Sequence, residues 1–501
     1  MAQPDTSIAP VATGHPRGVW VLAMTEMWER FTYYGMRALL MLFLVAAVRD
    51  GGLGIDDRTA ASIYGLYVAG IYLMALPGGW IADRLIGTRN AILVGGLCIA
   101  AGNLTLGLTS SLGLFCIGLL VIATGVGLLK PNASAIVASL YPEGGARRDA
   151  GFSLFYMGIN TGGFLGPIVA GVVAQHANRR FGFIAAAVGM LAGVTQFWLS
   201  RRHLGTAGNA PRNDDGTPGA IVFGPRWYPL VAAVAVVAAV VAAIWCGVLP
   251  VSAQGLSRSA AGLIVTMAAI GFGSLLFVAK LTRVERGRVL AILILFIAAT
   301  VFWSGYEQAG STLNLFAERY TDRYVGFLHW QMPAEFLQSW NSLFVILFAP
   351  LYSWLWVALA RRRLNPSAPL KFAAGLFLMG LGYLVMVGAA HIVVAGGKPL
   401  PTWLATTYLL HTFGELALSP VGLSFLTKLA PARFVGVSMG LWFLSNSLGN
   451  LLAGIAAGYY SADNVAAFPA QFYSVFLLGA ISAAVLVVIA RPTRRLMAGV
   501  E

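Results

Sequence analysis

The sequence predicts an all-α polytopic membrane protein with fourteen membrane-spanning helices. Of its 501 residues, 58% are hydrophobic and only 10% are charged, and the mean hydropathy is +0.77. Soluble domains carry about 25% charged residues, so a soluble fold is excluded. Apolar stretches of about 20 residues, each long enough to cross about 30 Å of hydrocarbon, recur along the whole chain. The 59 glycines suit helices that pack closely in a bilayer.

The apolar stretches define the predicted helices in chain order. We predict them over residues 17–48, 59–84, 89–110, 112–139, 149–174, 181–200, 228–248, 259–281, 289–319, 334–359, 371–393, 402–429, 434–460 and 470–491. An even number of crossings puts both termini on the same side of the membrane.

Lysine and arginine identify that side. The net charge is +14, but the basic residues form no single patch and concentrate in alternate connections, such as 84–89, 280–288 and 361–371. Basic residues favour the cytoplasmic side of a membrane. We therefore predict that both termini are cytoplasmic and that the protein lies in the plasma (cytoplasmic/inner) membrane. The charge reports topology and not nucleic-acid binding.

The chain divides at a polar connection in its middle. Residues 203–227 are rich in Gly, Pro, Asn and Asp, and we interpret them as a cytoplasmic linker. The next two helices have almost no polar residues, which is typical of helices that face lipid. We predict an N-terminal six-helix bundle (1–200), a linker with two extra helices (201–288) and a C-terminal six-helix bundle (289–501). Two such halves are typical of transporters with a substrate site between them near mid-membrane.

The connection between the second and third helices, "GGWIADRLIGTRN" (78–90), resembles the G-x-x-x-D-R-x-G-x-R signature of the major facilitator superfamily. Asp83 can cap a helix end, and Arg84 and Arg89 can anchor the loop at the lipid headgroups. A basic loop with turn glycines would explain part of this pattern. The ordered Asp-Arg-x-x-Gly-x-Arg favours the superfamily, and we predict a gating role for the three residues and no substrate contact.

The first helix carries charges that a lipid-facing helix could not hold. One helix face collects Glu26, Arg30, Tyr33 and Arg37, at spacings of four, three and four residues, with Glu29 beside them. A charged side chain near the bilayer centre costs about 2.5–3.5 kcal/mol. This face must therefore line a bundle interior or a water-filled cavity. A structural Glu26–Arg30 ion pair is the alternative, but it leaves the other charges unexplained.

Few other ionisable residues are predicted to be buried within the helices: Lys130, Glu307, His411 and Glu415. A buried carboxylate that loses its salt bridge on protonation can couple a conformational change to protons. Pro131 follows Lys130, and a glycine and a proline flank Glu415, so we expect bent or broken helices at matching places in the two halves. His411 is an additional candidate, although a lone helical histidine is more often a packing residue.

The sequence offers no enzyme chemistry. Cys98, Cys116 and Cys246 lie in apolar segments and are interpreted as packing residues. We find no phosphate-binding loop, metal-ligand cluster or nucleophile–base pair. We therefore expect no catalytic residue, no metal and no cofactor other than a proton gradient.

Several motifs together resemble the proton-dependent oligopeptide transporter (POT/PTR) family of the major facilitator superfamily, in its bacterial form with two extra helices. "EMWERFTYYG" (26–35) matches the E-x-x-E-R-F-x-Y-Y-G motif of the family's first helix. The fifth- and seventh-helix signatures resemble "FYMGINTGGFLGP" (155–167) and "FWSGYEQ" (302–308), and later ones resemble "QSWNSLF" (338–344), "GELALSPVGLS" (414–424) and "MGLWFLSN" (439–446). The motifs follow the family's order over most of the chain. Only the aromatic pair that often precedes the sixth helix is missing, replaced by "NRRFGF".

The resemblance implies import of di- and tripeptides with protons, and it assigns roles by position. The implied substrate-binding residues are Arg37 and Lys130 for the peptide carboxylate, Glu415 and Asn341 for its ammonium group, Asn160 and Tyr33 for its backbone, and Tyr34, Tyr72, Trp303, Ser419 and Trp442 for its side chains. The implied proton-coupling residues are Glu26, Glu29, Arg30 and Glu307. Glu307 would pair with Arg37 as a gate controlled by protonation.

The residues alone favour the same kind of substrate, because a zwitterion needs a cationic and an anionic pole across a cavity. Arg37 and Lys130 lie in the first half, and Glu415 lies in the second. The main alternative is a proton-coupled symporter of nitrate or another small organic anion, which would not need Glu415. A passive channel and a membrane-embedded enzyme are disfavoured by the balanced buried charge and the missing catalytic residues. We expect a monomer whose partners are peptides, protons and membrane lipids, without nucleic acid.

Overall fold

Fourteen membrane-crossing helical units are present in the described part of the chain. The computed structural model describes residues 14–141, 145–209, 227–460 and 464–498. Within those ranges the first helices are α1 (Arg17–Val45), α2 (Asp57–Ile81), α3 (Thr88–Leu108), α4 (Leu112–Ser139), α5 (Gly145–His176), α6 (Arg179–Ser200), α7 (Tyr228–Trp245) and α8 (Ala253–Gly273). They are followed by α9 (Arg283–Tyr306), α10 (Thr312–Tyr320), α11 (Phe336–Arg361), α12 (Ala368–Val394), α13 (Pro401–Leu429), α14 (Val435–Ala457) and α15 (Phe468–Leu496).

Two of these segments, α9 and α10, belong to one crossing. They form the span Arg283–Tyr320, which a 3-10 turn interrupts at Glu307–Gly310. A short antiparallel hairpin, β1 (Tyr324–Val325) and β2 (Trp330–Gln331), lies in the connection from α10 to α11. The fifteen α-helical segments of the described ranges therefore make fourteen crossings, and the predicted fold class is confirmed.

The first helix differs from the apolar spans. Among the described residues, ten helices are long and apolar enough to cross a membrane by length and composition. α1 has 29 residues, but Glu26, Glu29 and Arg30 lie on it and are buried. A helix with such charges is stable in a bilayer only when other helices or a cavity cover them. The packing of α1 meets that requirement.

The helices pack as two bundles with two helices beside them. In the N-terminal bundle (α1–α6), α1 packs against α5 and α6, and α3 packs against α4 and α6. In the C-terminal bundle (α9–α15), α12 packs against α13 and α15, and α9 packs against α14 and α15. The bundles meet along two helix pairs, α2 with α14 and α5 with α11. α8 contacts α2 and α14 from outside, whereas α7 is apolar and largely exposed, as a lipid-facing helix would be.

A row of glycines brings α5 against α1. Gly158, Gly162 and Gly166 recur every four residues and share one face of α5. A Cβ at any of them would collide with a backbone carbonyl group of α1. Glycine alone permits so close an approach between membrane helices. The contact fixes α1 within the bundle.

The bundles are closed at one face of the membrane. We call the face that carries both termini the terminal face and the other one the opposite face. Near the opposite face, a Cβ built on Gly65 of α2 would lie 2.9 Å from the Gly454 Cα of α14. Nearer the terminal face, a Cβ on Gly440 would meet only Leu76, at 3.8 Å, and one on Gly436 would meet nothing within 4 Å. α2 and α14 therefore diverge towards the terminal face.

The helix breaks differ from the prediction. α4 continues through Lys130 and Pro131, and α13 continues through Glu415. The break lies at Glu307–Gly310 instead. The expected breaks beside Lys130 and Glu415 are therefore wrong, because packing by neighbouring helices lets a buried helix tolerate proline, and the expected bends stay a prediction. Helix α9 also begins at Arg283, before the predicted start at residue 289, and residues 210–226 of the predicted linker lie outside the described residues.

Candidate functional site

A cavity of about 230 Å³ lies between the two bundles beside the break after α9. Aromatic, charged and amide side chains from both bundles line it. The lining residues are Glu26, Arg30, Tyr34, Arg37, Tyr72, Lys130, Tyr156, Ile159, Trp303, Tyr306, Glu307, Ala309, Gln338, Asn341, Tyr408, His411 and Glu415. Aromatic walls with a few convergent polar groups are typical of small-molecule sites.

The first-helix charges form one buried cluster around Arg30. The guanidinium forms two hydrogen bonds to Glu29, including one of 2.6 Å from Nη2 to Oε1, and its Nε lies 3.5 Å from Glu26 Oε1. The two glutamates differ in whether a carboxylate oxygen is left without a hydrogen bond. Glu29 uses both oxygens on Arg30 and does not line the cavity. Glu26 lines it, and Glu26 Oε2 has no hydrogen-bond partner in the described part of the chain.

Arg37 joins the two bundles. Its Nη2 donates to Glu307 Oε2 at 2.6 Å, and its Nε donates to the Tyr64 hydroxyl at 2.6 Å. Arg37 and Glu307 are both buried. Because Glu307 begins the turn between α9 and α10, the ion pair ties α1 to the helix break. Loss of the Glu307 charge would leave Arg37 without its counter-charge and free for another anion.

Glu415 supplies the acidic group on the C-terminal-bundle wall. The Tyr306 hydroxyl donates to Glu415 Oε2 at 2.6 Å, and Asn341 Nδ2 lies 3.5 Å from the same oxygen. Asn341 Nδ2 also donates to Thr412 Oγ1 at 2.9 Å. Glu415 forms no ion pair with any described residue. Its charge is therefore available to a cationic group in the cavity.

Lys130 and Tyr72 complete the cationic wall on the N-terminal bundle. Lys130 Nζ lies 5.2 Å from the centre of the Tyr72 ring. The guanidinium carbons of Arg30 and Arg37 lie 5.9 and 6.0 Å from the centre of the Tyr34 ring. Such cation–π contacts offset part of the hydration that a buried cation loses. Lys130 has no acidic partner within 4 Å among the described residues, so its charge also faces the cavity unpaired.

Five predicted residues lie outside the cavity wall: Glu29, Tyr33, Asn160, Ser419 and Trp442. Tyr33 is buried with its ring centre 4.8 Å from the Arg30 guanidinium carbon. Asn160 donates to the Tyr156 carbonyl at 2.9 Å, and Trp442 packs against Phe372. Ser419 Oγ has no hydrogen-bond partner among the described residues. The proton-coupling role of Glu29 and the substrate contacts of the other four stay predictions.

Part of the wall was not predicted from the sequence: Tyr156, Tyr306, Gln338 and Tyr408. Helical spacing from the chosen residues would have found them. Gln338 precedes Asn341 by three residues, and Tyr306 follows Trp303 by three, so each pair shares a helix face. Tyr156 lies one turn before Asn160 in the same way. Tyr64, which supports Arg37 from outside the cavity, had no such signal.

The predicted gating loop lies at the terminal face. Asp83 and Arg84 are exposed, on a π-helical turn at Ala82–Ile86 that follows α2. Arg89 instead binds the start of the linker, donating to the carbonyls of Ala207 and Gly205, each at 2.6 Å. No capping bond from Asp83 is present among the described residues. The loop is thus held by Arg89, and its gating role stays a prediction.

Ion pairs between the bundles hold the opposite face together. Arg319 of α10 donates two hydrogen bonds, of 2.6 and 2.7 Å, to Asp57 of α2. Glu318, its neighbour on α10, accepts from Arg179 of α6 at 2.6 Å and from Arg323 at 2.8 Å. A second cavity, of about 370 Å³, adjoins the cluster of Glu318, Arg179 and Arg323. Together with the diverging α2 and α14, these bonds define a two-bundle membrane transporter of the major facilitator type, with a central polar cavity and one closed face.

Comparison with known proteins identifies the family. Residues 89–473 match the model of the POT family. The peptide transporter YePEPT of Yersinia enterocolitica subsp. palearctica is 40% identical over 498 residues, which cover 97% of this chain and 96% of the relative. A di-/tripeptide transporter of Lactococcus lactis subsp. lactis is 32% identical, covering 97% and 98%. The crystal structure of a peptide transporter POT in complex with sulfate matches with a TM-score of 0.87 at 38% identity over 97% of both chains. The chain belongs to the POT family, as its motifs predict.

Proposed function

We propose that this protein is a proton-coupled symporter that imports di- and tripeptides by alternating access. The observation that carries the proposal is the opposed charge across the central cavity, with Arg37 and Lys130 on one bundle and Glu415 on the other. A peptide zwitterion places a carboxylate and an ammonium group at its two ends. The relatives named as peptide and di-/tripeptide transporters, similar over nearly the whole chain, support this substrate class.

The residue roles follow from chemistry. Arg37 offers a planar fork that can bind a carboxylate bidentately, and Lys130 adds a point charge beside it. Glu415 accepts from the ammonium group, with Asn341 within reach of the same oxygen. Asn160 and Tyr33 contact the backbone of the peptide. The pockets for its side chains are lined by Tyr34, Tyr72, Trp303, Ser419 and Trp442. The aromatic lining accepts side chains of varied shape without specific hydrogen bonds.

Proton coupling rests on two buried clusters. In the first, Glu26 and Glu29 share Arg30, and a proton on either acid weakens its hold on the arginine. In the second, a proton on Glu307 releases Arg37 for the peptide carboxylate. A buried pair loses most of its attraction when one partner is neutralised, which makes each cluster responsive to protons.

Alternating access follows from the arrangement of the two faces. The ion pairs of Arg319 and Glu318 close the opposite face, while the bundles diverge at the terminal face. The basic connections assign the terminal face to the cytoplasm. We infer a location in the plasma (inner) membrane and function as a monomer among lipids, driven by the proton gradient without another cofactor.

The alternative of nitrate or another small organic anion has no support. None of the named relatives described above is a nitrate carrier, and an anion site would leave the unpaired Glu415 carboxylate facing its ligand. Two like charges in a cavity of low polarity repel strongly.

The proposal is tested with purified protein in liposomes. Labelled dialanine is supplied outside at acid pH, with an inside-negative potential, and nitrate or free alanine is added as competitor. We expect accumulation above equilibrium that collapses with a protonophore and is competed by unlabelled peptide alone. Accumulation that nitrate suppresses would favour the anion carrier. Uptake that merely equilibrates, with or without a gradient, would favour a channel.

A further inference from the structure

Tyr306 reaches the proposed ammonium site from a fixed position. It is the last residue of α9, directly before the turn at Glu307–Gly310. Its ring stacks on Phe302, with centroids 5.5 Å apart, and meets the Trp303 ring edge-on at 5.2 Å. The residue is only 9% exposed. A ring packed on two sides has little rotational freedom, so its hydroxyl is a donor of defined position.

That hydroxyl occupies only one oxygen of Glu415. The bond of 2.6 Å goes to Oε2, which Asn341 also approaches. Oε1 has no hydrogen-bond partner among the described residues, and the carboxylate lines the cavity. A glutamate side chain that must be ordered by its ligand lowers affinity, because the ordering costs entropy. Tyr306 orders Glu415 before the ligand arrives.

The same end of α9 also holds the other pole. Glu307, the next residue, pairs with Arg37. Consecutive residues thus contact the group proposed for the peptide ammonium and the group proposed for its carboxylate. Any general loosening of this helix end would disturb both poles together, whereas loss of the Tyr306 hydroxyl alone would disturb only Glu415. The two effects can be separated by experiment.

We propose that Tyr306 is a positioning residue that fixes Glu415 with Oε1 free for the peptide ammonium group, and that it thereby sets the preference for peptides with a free N-terminus. The inference rests on the proposed function, because it takes Glu415 as the ammonium site. A hydrogen bond to a charged group is worth roughly a 10- to 100-fold change in affinity. The loss should appear for substrates that use Glu415 and not for those that cannot.

The test compares two single-hydroxyl deletions. Tyr306→Phe keeps the packed ring and removes the bond to Glu415. Tyr383→Phe is the matched control, because its hydroxyl donates to the Gly305 carbonyl at 2.7 Å and so supports the same helix end without touching Glu415. For each variant, dialanine and N-acetyl-dialanine are measured as inhibitors of labelled dialanine counterflow, and KM and kcat are determined for dialanine.

We expect Tyr306→Phe to weaken dialanine inhibition roughly tenfold, through KM and not kcat, and N-acetyl-dialanine less than about twofold. Tyr383→Phe should change both inhibitors by the same factor. In a Glu415→Gln background, which is not expected to transport dialanine, binding of both peptides to the purified protein is measured instead, and Tyr306→Phe should produce no further change in the ratio of the two dissociation constants. An unchanged ratio in Tyr306→Phe, or an equal change in both variants, overturns the inference.

Failure of this inference is distinct from failure of the proposed function. If the wild-type protein does not accumulate dialanine against a gradient, the peptide symport itself is wrong. If it does accumulate dialanine, and Tyr306→Phe elutes from size-exclusion chromatography as folded protein and keeps the wild-type ratio of the two inhibition constants, only the positioning role is wrong.

Discussion

The central cavity and the opposite face both join the two bundles through arginine–acid pairs, but they use these pairs differently. The Arg37 and Glu307 side chains are 6% and 5% exposed, whereas those of Arg319 and Asp57 are 26% and 18% exposed. Removing one partner costs about 3–5 kcal/mol in a buried pair and about 0.2–1 kcal/mol in a fully exposed one, and the partly exposed Arg319–Asp57 pair lies between these limits. The central pair is therefore suited to switching by a proton or a ligand. The outer pairs are suited to an interface that must close and reopen in every cycle.

The largest effect is expected at the unpaired acid of the central cavity. Among the described residues, Glu415 is the one acid on the C-terminal-bundle wall without an ion-pair partner, so we expect Glu415→Gln to abolish uptake of free dialanine. A peptide blocked at its N-terminus carries no ammonium and should lose relatively little. Dissociation constants of the free and the blocked peptide, measured on the purified protein, give the ratio. Equal losses for both peptides would contradict ammonium binding.

A smaller but still severe effect is expected from Arg37→Lys, although it keeps the charge. Lysine cannot reproduce the bonds that Arg37 makes with two different partners, Glu307 and Tyr64. We expect dialanine uptake to fall by more than tenfold, since the buried pair loses its geometry. Uptake into liposomes is the measurement.

The same substitution at the outer pair sharpens the comparison. Arg319→Lys also replaces a two-bond contact, with Asp57, but at a site that water reaches. We expect a smaller loss of uptake than in Arg37→Lys, because the partly exposed Arg319–Asp57 pair keeps more of its hydration than the buried Arg37–Glu307 pair. Similar losses from both variants would mean that burial does not separate the two regions.

Within the first-helix cluster, Glu26→Gln should lose gradient-driven accumulation of peptide and keep counterflow. Exchange of labelled for unlabelled peptide needs binding and reorientation, without net proton movement. Glu26 has the free oxygen at the cavity wall, whereas Glu29 is fully engaged with Arg30. We therefore expect Glu29→Gln to lower both activities. If Glu26→Gln abolishes both in folded protein, Glu26 binds substrate or supports the structure.

Much of the central cavity could be predicted from the sequence, whereas the ion pairs of the opposite face could not. The charged face of α1 follows from helical spacing, because neighbours three and four residues apart must share a face. Arg319 and Asp57 are 262 residues apart, and nothing local marks them as partners. Their contact depends on which face the bundles close, and a sequence does not fix one conformation of a protein that alternates between two.

Helix breaks were the weakest part of the prediction for a related reason. Pro131 suggested a break beside Lys130, but the buried α4 runs through it. The break at Glu307–Gly310 is stabilised by distant contacts, including the Arg37 pair and the bond from Asn314 Nδ2 to the Ala38 carbonyl at 2.8 Å. The local sequence indicates where a helix is weakened. It does not show the long-range bonds that stabilise a break.

The last prediction concerns a buried acid at the opposite face that the sequence did not reveal. Glu335 precedes α11, lines the second cavity and forms no ion pair with any described residue. The charged groups around that cavity are Glu318, Arg179 and Arg323, with Asp50 at its exposed rim. Burial raises the pKa of Glu335 from 4.5 to about 7, and Glu318 adds to the rise while the two arginines oppose it. We therefore expect Glu335 to bind a proton when this face is closed and to release it when the face opens to water.

The sign of the pH effect follows by linkage. Closure is favoured where Glu335 is protonated, fully below its ordinary pKa of 4.5, and this contribution is lost as the pH rises through about 7. Glu335→Gln stays neutral, so its closure should lose this dependence and remain favoured at pH 8. The effect of Glu335→Gln on uptake should be the smallest of the series, because the arginine pairs of this face persist in the variant. An open face that is equally populated at pH 5 and 8 in the wild type would already contradict the prediction.

Spin labels on the two bundles measure this directly. Val48→Cys and Leu400→Cys place exposed labels at the opposite face, in a background with Cys98, Cys116 and Cys246 replaced by alanine. We expect the fraction of wild-type molecules with a long distance between the two labels to increase from pH 5 to pH 8. The same fraction should change less in Glu335→Gln. Asp50→Asn is the matched control, since it neutralises an exposed acid on the rim of the same cavity and should keep the wild-type response. If Asp50→Asn reduces the change in label distance with pH, or if Glu335→Gln keeps the wild-type change, the pH dependence comes from acids other than Glu335. The opposite face would then close without a proton switch of its own, unlike the switch proposed for the central cavity.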